Sequence, residues 1–187
     1  GDWSSDVCSS DLAVAYARER LQGRSLRGPE APDKPADPII VHPDVRRMLL
    51  TMRAYTQGAR ALGGWIATEL DISRGHPGPE RREAADDLVA LLTPVAKAFF
   101  TDIGFDVANL GMQVLGGHGY VRDHGMEQFS RDARIAQIYE GTNGIQALDL
   151  VGRKLPAHTG RYLRRFFHPV RAFLEAHAHD EQMAPFI

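Results

Sequence analysis

The sequence predicts an all-α fold in which long amphipathic helices pack into a four-helix-bundle-like domain. Apolar residues recur every three or four positions in two long runs, at 45–66 and 88–114, and this is the period of a helix with one apolar face. No stretch shows the sustained alternation of a half-buried strand, and the sequence contains no internal repeat. Helices with one apolar face bury it against one another, which predicts a bundle.

The first long helix is predicted to begin at Asp44, as its N-cap, and to span about 26 residues. It follows a proline-rich segment, Pro29–Pro43, which we expect to be a loop because each proline removes a backbone N–H donor. The second long run contains Pro94, where a kink is expected, and it ends at the glycines of residues 116–119.

Shorter helices are predicted in the rest of the chain. A polar segment, Arg122–Arg131, precedes a helix over Asp132–Tyr139, and residues 140–144 then interrupt the helical pattern. A further helix begins near Ile145, and a last amphipathic run over Thr159–His177 predicts an added C-terminal helix.

The composition excludes several classes of protein. The chain has 187 residues, of which 43% are hydrophobic and 25% charged, as is ordinary for a globular domain. Its 22 basic and 24 acidic residues give a net charge of −2, whereas a protein that binds duplex nucleic acid normally carries a basic excess. The single cysteine, Cys8, excludes an internal disulfide framework and a thiolate-rich zinc site, and we predict no metal site. No apolar run approaches the roughly 20 residues of a membrane span.

The first twelve residues, GDWSSDVCSSDL, are polar and serine-rich and lack a helical or alternating apolar period. They also lack the basic start and the apolar centre of a signal peptide, and we interpret residues 1–12 as a non-native leader. From Ala13 onward the pattern is that of the end of a helix already in progress. We therefore expect the chain to be a fragment whose upstream part is missing.

A candidate catalytic carboxylate lies at the break between two predicted helices. Glu140 follows the apolar pair Ile138–Tyr139 and precedes Gly141, and a carboxylate among apolar neighbours can serve as a general base when burial disfavours its charged form. Thr142 or Asn143 is the predicted cap of the next helix, whose first N–H groups can bind an anionic group. The commoner interpretation of so short a pattern is a solvated loop glutamate beside an ordinary helix cap.

A glycine-rich motif, QVLGGHGY at Gln113–Tyr120, follows the second long run. Three glycines at a helix end form a backbone concavity that suits a phosphate group. A glycine C-cap followed by a tight turn is the commoner interpretation of such a motif taken alone.

Three motifs in this order, QVLGGHGY, RDARI and IYEGTNGIQ, resemble the C-terminal helical domain of the acyl-CoA dehydrogenases. YARERLQGR at Tyr16–Arg24 is similar to the arginine-containing helix end of that family. The proline-rich loop and the added C-terminal helix are most similar to a longer subgroup, the 3-methylmercaptopropionyl-CoA dehydrogenase type. The resemblance implies that residues 13–155 form the family's C-terminal helical domain and that residues 156–187 form a C-terminal helical extension.

The resemblance implies that Glu140, the glutamate of IYEGT, is the catalytic base of an FAD-dependent oxidoreductase of fatty acid metabolism. In the family reaction a base removes the α proton of an acyl-CoA thioester, and a hydride leaves the β carbon for FAD, which leaves an α,β double bond. Hydrogen bonds to the thioester oxygen supply much of the barrier reduction. One of their donors in the family is the backbone N–H of this same glutamate.

The resemblance also implies FAD contacts on three segments, at Arg20, Gln22, Gln113, Val114, Leu115, Gly116, Gly117, Thr142, Asn143 and Gly144. The glycine-rich turn is expected to reach the cofactor of a neighbouring subunit. Two positions depart from the family pattern, since Gly144 stands where many relatives carry Glu or Gln, and Gly23 stands where phenylalanine is usual. Arg131, Asp132 and Arg134 are interpreted as packing and ion-pair residues.

The partners that the resemblance implies are an acyl-CoA substrate, electron-transfer flavoprotein as electron acceptor, and further copies of the chain in a homodimer or homotetramer. The single cysteine and the lack of an apolar run of membrane-span length predict a reducing compartment; we expect the bacterial cytoplasm, with the lumen of a metabolic organelle as the alternative. The family's N-terminal helical domain and middle β-barrel are not in this sequence, so we expect the chain alone to be inactive and to bind FAD weakly or not at all. Two alternatives stay open. One is an acyl-CoA oxidase-type enzyme, which passes electrons to oxygen, and the other is a non-catalytic helical bundle used for interaction.

Overall fold

The computed structural model describes residues 3–185 and, from residue 9 onward, their side chains. Within this range the helices are α1 Trp3–Glu19, α2 Pro43–Gly75, α3 Pro79–Leu115, α4 Gly117–Tyr120, α5 Met126–Ala136, α6 Asn143–Asp149 and α7 Ala157–His177. Two 3₁₀ turns, Ile39–Val41 and Arg122–His124, and a π-helical segment, Leu150–Lys154, lie between them. The described residues form no strand beyond one isolated backbone bridge between Leu21 and Pro38, so the predicted all-α fold is confirmed.

The chain forms two compact units. The first unit comprises the chain up to Ala61 together with Phe99–Thr142, and the second comprises Leu62–Ala98 together with the chain from Asn143 onward. The long helices α2 and α3 therefore contribute one part to each unit. Most of the predicted site residues belong to the first unit.

The core of the first unit is built from apolar side chains of α1, α2, α3 and α5 and of the 3₁₀ turn before α2. Its buried members are Ala13, Ala17, Ile39, Met48, Met52, Val107, Val114, Leu115 and Met126. Burial of such side chains is the main favourable contribution to folding. Because the last turns of α1 and α3 both pack into this core, it determines where the loop after α1 and the turn after α3 begin.

The second unit is held by an aromatic contact and by buried carboxylates. The rings of Trp65 and Phe166 lie 6.2 Å apart between centroids. Asp87, which is 2% exposed, accepts a hydrogen bond from Arg161 at 2.7 Å and contacts Arg165 at 3.4 Å. These two arginines attach α7 to α3, since a buried carboxylate requires a charged or hydrogen-bonding partner.

Two helix starts differ from the predicted ones. α2 begins at Pro43 and spans 33 residues, so the prediction of an N-cap at Asp44 is wrong. Proline suits the first helical position because the first N–H of a helix has no partner, and Asp44 lies in the first turn, where it contacts Arg47 at 2.9 Å. α5 begins at Met126 rather than Asp132, because the fully buried side chain of Met126 anchors the polar segment as a helix.

The other boundaries follow from local backbone geometry. α3 continues through Pro94, whose side chain is fully buried. His158, Thr159 and Gly160 have positive φ angles of 48°, 55° and 80°, so the regular part of α7 begins at Arg161.

α1 extends back to Trp3 and so includes much of the segment interpreted as a leader. That interpretation stays a prediction, and residues 1 and 2 lie outside the described residues.

α3 is the one helix in the described range whose length and apolar composition also suit a membrane span. Within the structure 33% of its most apolar stretch of 18 residues is buried, and the core helix of a soluble protein can have the same length and composition. Among the side chains that the structure describes, those of residues 9–185, no group of three or more His, Cys, Asp or Glu is placed to hold a metal ion.

The loop between α1 and α2 is organised around Asp37, whose side chain is fully buried. Its Oδ2 accepts a hydrogen bond from the backbone N–H of Ser25 at 2.9 Å, and Oδ1 accepts from the N–H groups of Glu30 and Ala31 at 3.0 and 2.7 Å. The Arg24 guanidinium also donates to Oδ1, at 3.1 Å. These bonds favour the charged form, the bond from Ser25 most of all, and they lower the pKa of Asp37 to about 2.

We predict that Asp37→Asn destabilises the domain at neutral pH and that the difference from the wild type shrinks in acid. At a pH above its ordinary pKa of 3.8, the Asp37 carboxylate is charged in both the folded and the unfolded chain, and the hydrogen bonds of the folded state contribute in full. As the pH falls from 3.8 to about 2, protonation removes that contribution. Urea unfolding midpoints of both proteins over this pH range measure the effect.

The matched control is Asp33→Asn, because Asp33 lies on the same loop and is exposed. This variant is expected to unfold at the same urea concentration as the wild type at every pH. A wild-type midpoint for Asp37→Asn at neutral pH, or a difference that stays constant in acid, would contradict the assigned role of the Asp37 carboxylate.

The turn after α3 has no room for a side chain at position 119. A Cβ atom added to Gly119 would lie 2.5 Å from the backbone oxygen of Met112 and 2.9 Å from Cβ of Leu115. α4 therefore packs directly on the last turn of α3, at a distance that only glycine permits.

We predict that Gly119→Ala lowers the free energy of unfolding by about 1–3 kcal/mol, since an extra methyl group in a packed contact forces the backbone apart. Gly117→Ala is the control, because a Cβ atom at Gly117 would meet no atom within 4 Å, and we expect a change below about 0.5 kcal/mol. Urea unfolding compares the two variants. Equal stability would show that α4 does not depend on its close packing against α3.

Candidate functional site

Two segments of the first unit line a cavity of about 410 Å³. One segment runs from the end of α1 through the loop that follows it to the first turn of α2, and the other is the glycine-rich turn between α3 and α4. The lining residues are Tyr16, Arg20, Gln22, Ile39, His42, Val45, Gln113, Val114, Leu115, Gly116, Gly117 and His118. Residues nearly a hundred positions apart in the sequence therefore share one concave surface.

The glycine-rich turn reverses the chain immediately after α3. The N–H of Gly116 donates to the backbone oxygen of Gln113 at 3.1 Å, and the N–H of Gly119 donates to that of Gly116 at 2.9 Å. Gly116 has φ 60° and ψ −137°, a combination that side chains disfavour. The turn exposes the backbone at Gly116 and Gly117, as a close approach of a ligand to the main chain requires.

The other segment is held by backbone hydrogen bonds to the far end of the same loop. The N–H of Gln22 donates to the backbone oxygen of Asp37 at 3.0 Å, and the N–H of Asp37 donates to that of Gly23 at 2.9 Å. The N–H of Ile39 donates to the backbone oxygen of Arg20 at 2.8 Å. The positions of Arg20 and Gln22 are therefore determined by the loop that Asp37 organises.

The structure brings together the predicted cofactor residues of the first two segments. All of Arg20, Gln22, Gln113, Val114, Leu115, Gly116 and Gly117 line the cavity. Glu140 and Thr142 do not line it, and Asn143 and Gly144 belong to the second unit. This grouping is a property of the fold, and the binding role of each residue stays a prediction.

Sequence reasoning missed three polar side chains that line the same cavity. The Tyr16 hydroxyl lies 2.8 Å from Nδ1 of His118, and Nε2 of His42 lies 2.8 Å from the backbone oxygen of Gln22. Tyr16 could have been found from its position four residues before Arg20, on the same face of the helix end. His118 lies inside the glycine-rich motif, whereas no signal in the sequence pointed to His42.

The donor set of the cavity suits a polar ligand with negative charge. Arg20 supplies a guanidinium group, and Gln22 and Gln113 supply amide groups; all three residues are exposed. Guanidinium groups bind phosphate oxygens through charge-assisted hydrogen bonds. The exposed backbone of Gly116 and Gly117 leaves space for such a group next to the main chain.

Glu140 lies at the break between α5 and α6, in a left-handed backbone conformation with φ 54°. Gly141 follows with φ 83°, so two successive left-handed residues reverse the direction of the chain. Glu140 is exposed, and Ile138 and Tyr139 are 48% and 46% exposed. The described residues therefore leave this carboxylate exposed, as the interpretation of a solvated loop glutamate expects, and do not bury it among its apolar neighbours.

The approach to Glu140 is anchored to α3 by side-chain hydrogen bonds. Nε2 of Gln137 donates to Oδ1 of Asp102 at 2.7 Å, and Nη1 of Arg134 donates to Oε1 of Gln137 at 2.9 Å. The Arg134 guanidinium also lies over the Phe105 ring, 5.9 Å from its centroid. These contacts hold the end of α5 three residues before the candidate base, and the packing and ion-pair role of Arg134 stays a prediction.

Asn143 uses its side chain within the second unit. Its Oδ1 accepts a hydrogen bond from Nζ of Lys97 at 3.0 Å, and its Nδ2 donates to the backbone oxygen of Ala98 at 3.3 Å. The amide thereby attaches the start of α6 to α3. In this structure the side chain of Asn143 is engaged in packing the helix, whereas Thr142 and Gly144 on either side of it are exposed.

Comparison with known proteins agrees with the motifs. The family model of the acyl-CoA dehydrogenase C-terminal domain matches residues 8–155. 3-Methylmercaptopropionyl-CoA dehydrogenase of Ruegeria pomeroyi is 49% identical over 164 residues, which are 86% of this chain and 26% of that protein. Broad-specificity linear acyl-CoA dehydrogenase FadE5 of Mycobacterium tuberculosis is 34% identical over 168 residues, which are 89% of this chain and 27% of that protein.

Among solved structures, Caenorhabditis elegans ACDH-11 in complex with C11-CoA matches with a TM-score of 0.78 and 22% identity, over 96% of this chain and 28% of that one. At this identity the match shows a shared fold. The chain spans about a quarter of the length of the curated relatives it matches. The family match over most of the chain shows that this protein belongs to the acyl-CoA dehydrogenase family, of which it contains the C-terminal helical domain.

Proposed function

We propose that the chain is part of an FAD-dependent acyl-CoA dehydrogenase, with residues 13–155 as its C-terminal domain and residues 156–187 as an extension. The observation that carries this proposal is the placement of IYEGTNGIQ, whose glutamate is exposed at a left-handed turn between two helices. The turn leaves the carboxylate at the surface of the first unit, where the substrate and further parts of the complete enzyme would have to cover it during the reaction. The high identity to dehydrogenases of acyl-CoA thioesters supports the same substrate class.

In the proposed reaction Glu140 removes the α proton of an acyl-CoA thioester. The carboxylate oxygen accepts the proton, and the electron pair of the broken C–H bond moves toward the thioester carbonyl. The C–H group at the α carbon is a weak acid. Hydrogen bonds to the thioester oxygen must therefore stabilise the negative charge that develops on that oxygen. The backbone N–H of Glu140 is proposed as one of these donors, as the family resemblance implies.

The cavity residues of the first unit fit the cofactor that the family implies. Arg20, Gln22 and Gln113 provide the cation and the amide donors, and a Cβ atom at Gly116 or Gly117 would meet no atom within 4 Å. This donor set suits the negatively charged and polar parts of a dinucleotide. When bound, FAD supplies the acceptor for the hydride that leaves the β carbon of the substrate.

The proposal includes the partners that the family resemblance implies. Electron-transfer flavoprotein is the proposed electron acceptor, the complete protein is a homodimer or homotetramer, and its location is the bacterial cytoplasm. No nucleic-acid partner and no membrane span are proposed. The absence of an excess of basic residues is the reason that no nucleic-acid partner is proposed.

We predict that Glu140→Gln lowers the rate of acyl-CoA oxidation about 10²–10⁴-fold, because the amide cannot accept the α proton. The measurement is acyl-CoA-dependent reduction of a dye in the complete enzyme, expressed from source DNA read across the segment before Ala13. Glu140→Asp keeps the carboxylate at a shorter reach and is expected to retain more activity than Glu140→Gln.

Glu80→Gln is the matched control for this substitution, since Glu80 is an exposed glutamate in the first turn of α3. Its rate should equal that of the wild type. Wild-type activity in Glu140→Gln would exclude Glu140 as the base and favour the non-catalytic bundle. Oxygen consumption without dye reduction would instead identify an oxidase.

We further predict that the 187-residue chain alone is purified without flavin and has no dehydrogenase activity. Its cavity offers cofactor contacts from two segments only, and the chain spans about a quarter of its relatives' length. Absorbance near the flavin maximum, measured before and after incubation with FAD, checks the prediction. A yellow preparation that retains flavin through gel filtration would show that the domain binds the cofactor by itself.

A further inference from the structure

A hydrogen bond joins the two segments of the cavity through residues to which the family resemblance assigns no role. The Tyr16 hydroxyl lies 2.8 Å from Nδ1 of His118, and the two residues are 102 positions apart in the sequence. Their rings also meet edge to face, with centroids 5.9 Å apart. The contact connects the last turn of α1 with α4, and so connects the side of the cavity that carries Arg20 with the glycine-rich turn.

On the α1 side, Tyr16 is linked directly to Arg20. The backbone N–H of Arg20 donates to the carbonyl oxygen of Tyr16 at 2.8 Å, which continues the helical hydrogen-bond pattern just beyond Glu19. Residues four apart lie on the same face of a helix, and both of these residues line the cavity. A shift of Tyr16 therefore shifts Arg20 in the same direction.

On the α4 side, His118 is held by its neighbours. Its ring stacks on that of His124, with centroids 4.7 Å apart and planes inclined by 21°. The next residue, Gly119, packs closely against the backbone of Met112. Core packing determines where the turn begins, but a Cβ atom at Gly116 would meet no atom within 4 Å, so the exposed part of the turn is open in that direction. The bond from His118 to Tyr16 adds a contact that ties the turn to α1.

We propose that Tyr16 and His118 are positioning residues for the dinucleotide cofactor. This inference rests on the proposed function. The hydrogen bond keeps the Arg20 guanidinium and the Gly116–Gly117 backbone at a constant separation, so that both contact one bound ligand. A site whose parts are ordered before binding loses less entropy when the ligand arrives and binds it more tightly. Neither side chain transfers a proton or a hydride in this role.

The first test is the affinity of the complete, FAD-free enzyme for FAD, measured by titration with flavin fluorescence as the signal. Tyr16→Phe keeps the ring and its edge-to-face contact but removes the hydroxyl. We expect the dissociation constant to rise about three- to ten-fold, which is the range for one neutral hydrogen bond. Tyr120→Phe is the matched control, since that residue is 77% exposed on the same short helix.

Rescue distinguishes positioning from a loss of packing. His118→Ala is expected to weaken FAD binding as much as Tyr16→Phe does. His118→Asn places an amide oxygen near the position of Nδ1 and should restore an affinity close to that of the wild type. The double variant Tyr16→Phe/His118→Ala should bind FAD no more weakly than His118→Ala alone, because both changes remove the same bond.

A second test uses the 187-residue chain and needs no cofactor. Amide hydrogen exchange at Gly116 and Gly117, followed by NMR, reports how firmly the turn is held. We expect Tyr16→Phe to accelerate exchange at these two amides and Tyr120→Phe to leave it unchanged.

Unchanged FAD affinity together with unchanged exchange in Tyr16→Phe would overturn the positioning role. Strictly additive losses in the double variant, or no recovery in His118→Asn, would overturn it as well. A complete wild-type enzyme that binds no FAD would overturn the proposed function instead. The exchange measurement would then still decide whether the hydrogen bond positions the turn.

Discussion

A carboxylate without solvent contact is stable only if hydrogen bonds compensate its charge, and Asp37 meets this condition with three backbone N–H groups and the Arg24 guanidinium. The same residue uses its own backbone to pair with Gln22 and Gly23. The loop after α1 thus closes around a buried charge, while Ile39 at its far end packs into the apolar core. Arg20 and Gln22, the cationic and amide donors of the cavity, take their places from this arrangement.

The glycine-rich side of the cavity depends on close packing between α3 and α4 rather than on a buried charge. α3 ends in the apolar core through Val114 and Leu115, and the absence of a side chain at Gly119 lets α4 turn back onto the last turn of α3. One side is therefore sensitive to protonation and the other to a single added methyl group. The contact between Tyr16 and His118 joins two parts that are stabilised by different forces.

The candidate base is built in a third way. Glu140 does not belong to a helix, and its position follows from the anchored end of α5, where Gln137 bonds to Asp102, and from the left-handed turn that it shares with Gly141. The turn leaves the carboxylate exposed at the surface of the first unit. A base that must work on a weak carbon acid requires a desolvated site. The proposed chemistry therefore requires that substrate and further parts of the complete enzyme cover Glu140.

The sequence by itself determined the helical fold class, the family and the segments that carry the candidate residues, because apolar period and short motifs are local properties of the chain. The apolar period predicted the wrong first residue for α5. The helix begins at Met126 because other helices bury that side chain, and the local sequence does not show this. Only the tertiary structure shows that Arg20 and the glycine-rich turn line one cavity and that Tyr16 contacts His118. It also shows that the side-chain amide of Asn143 binds Lys97 of α3. Local sequence patterns indicate which face of a helix is apolar, but they do not indicate which polar side chains contact one another when they are about a hundred residues apart.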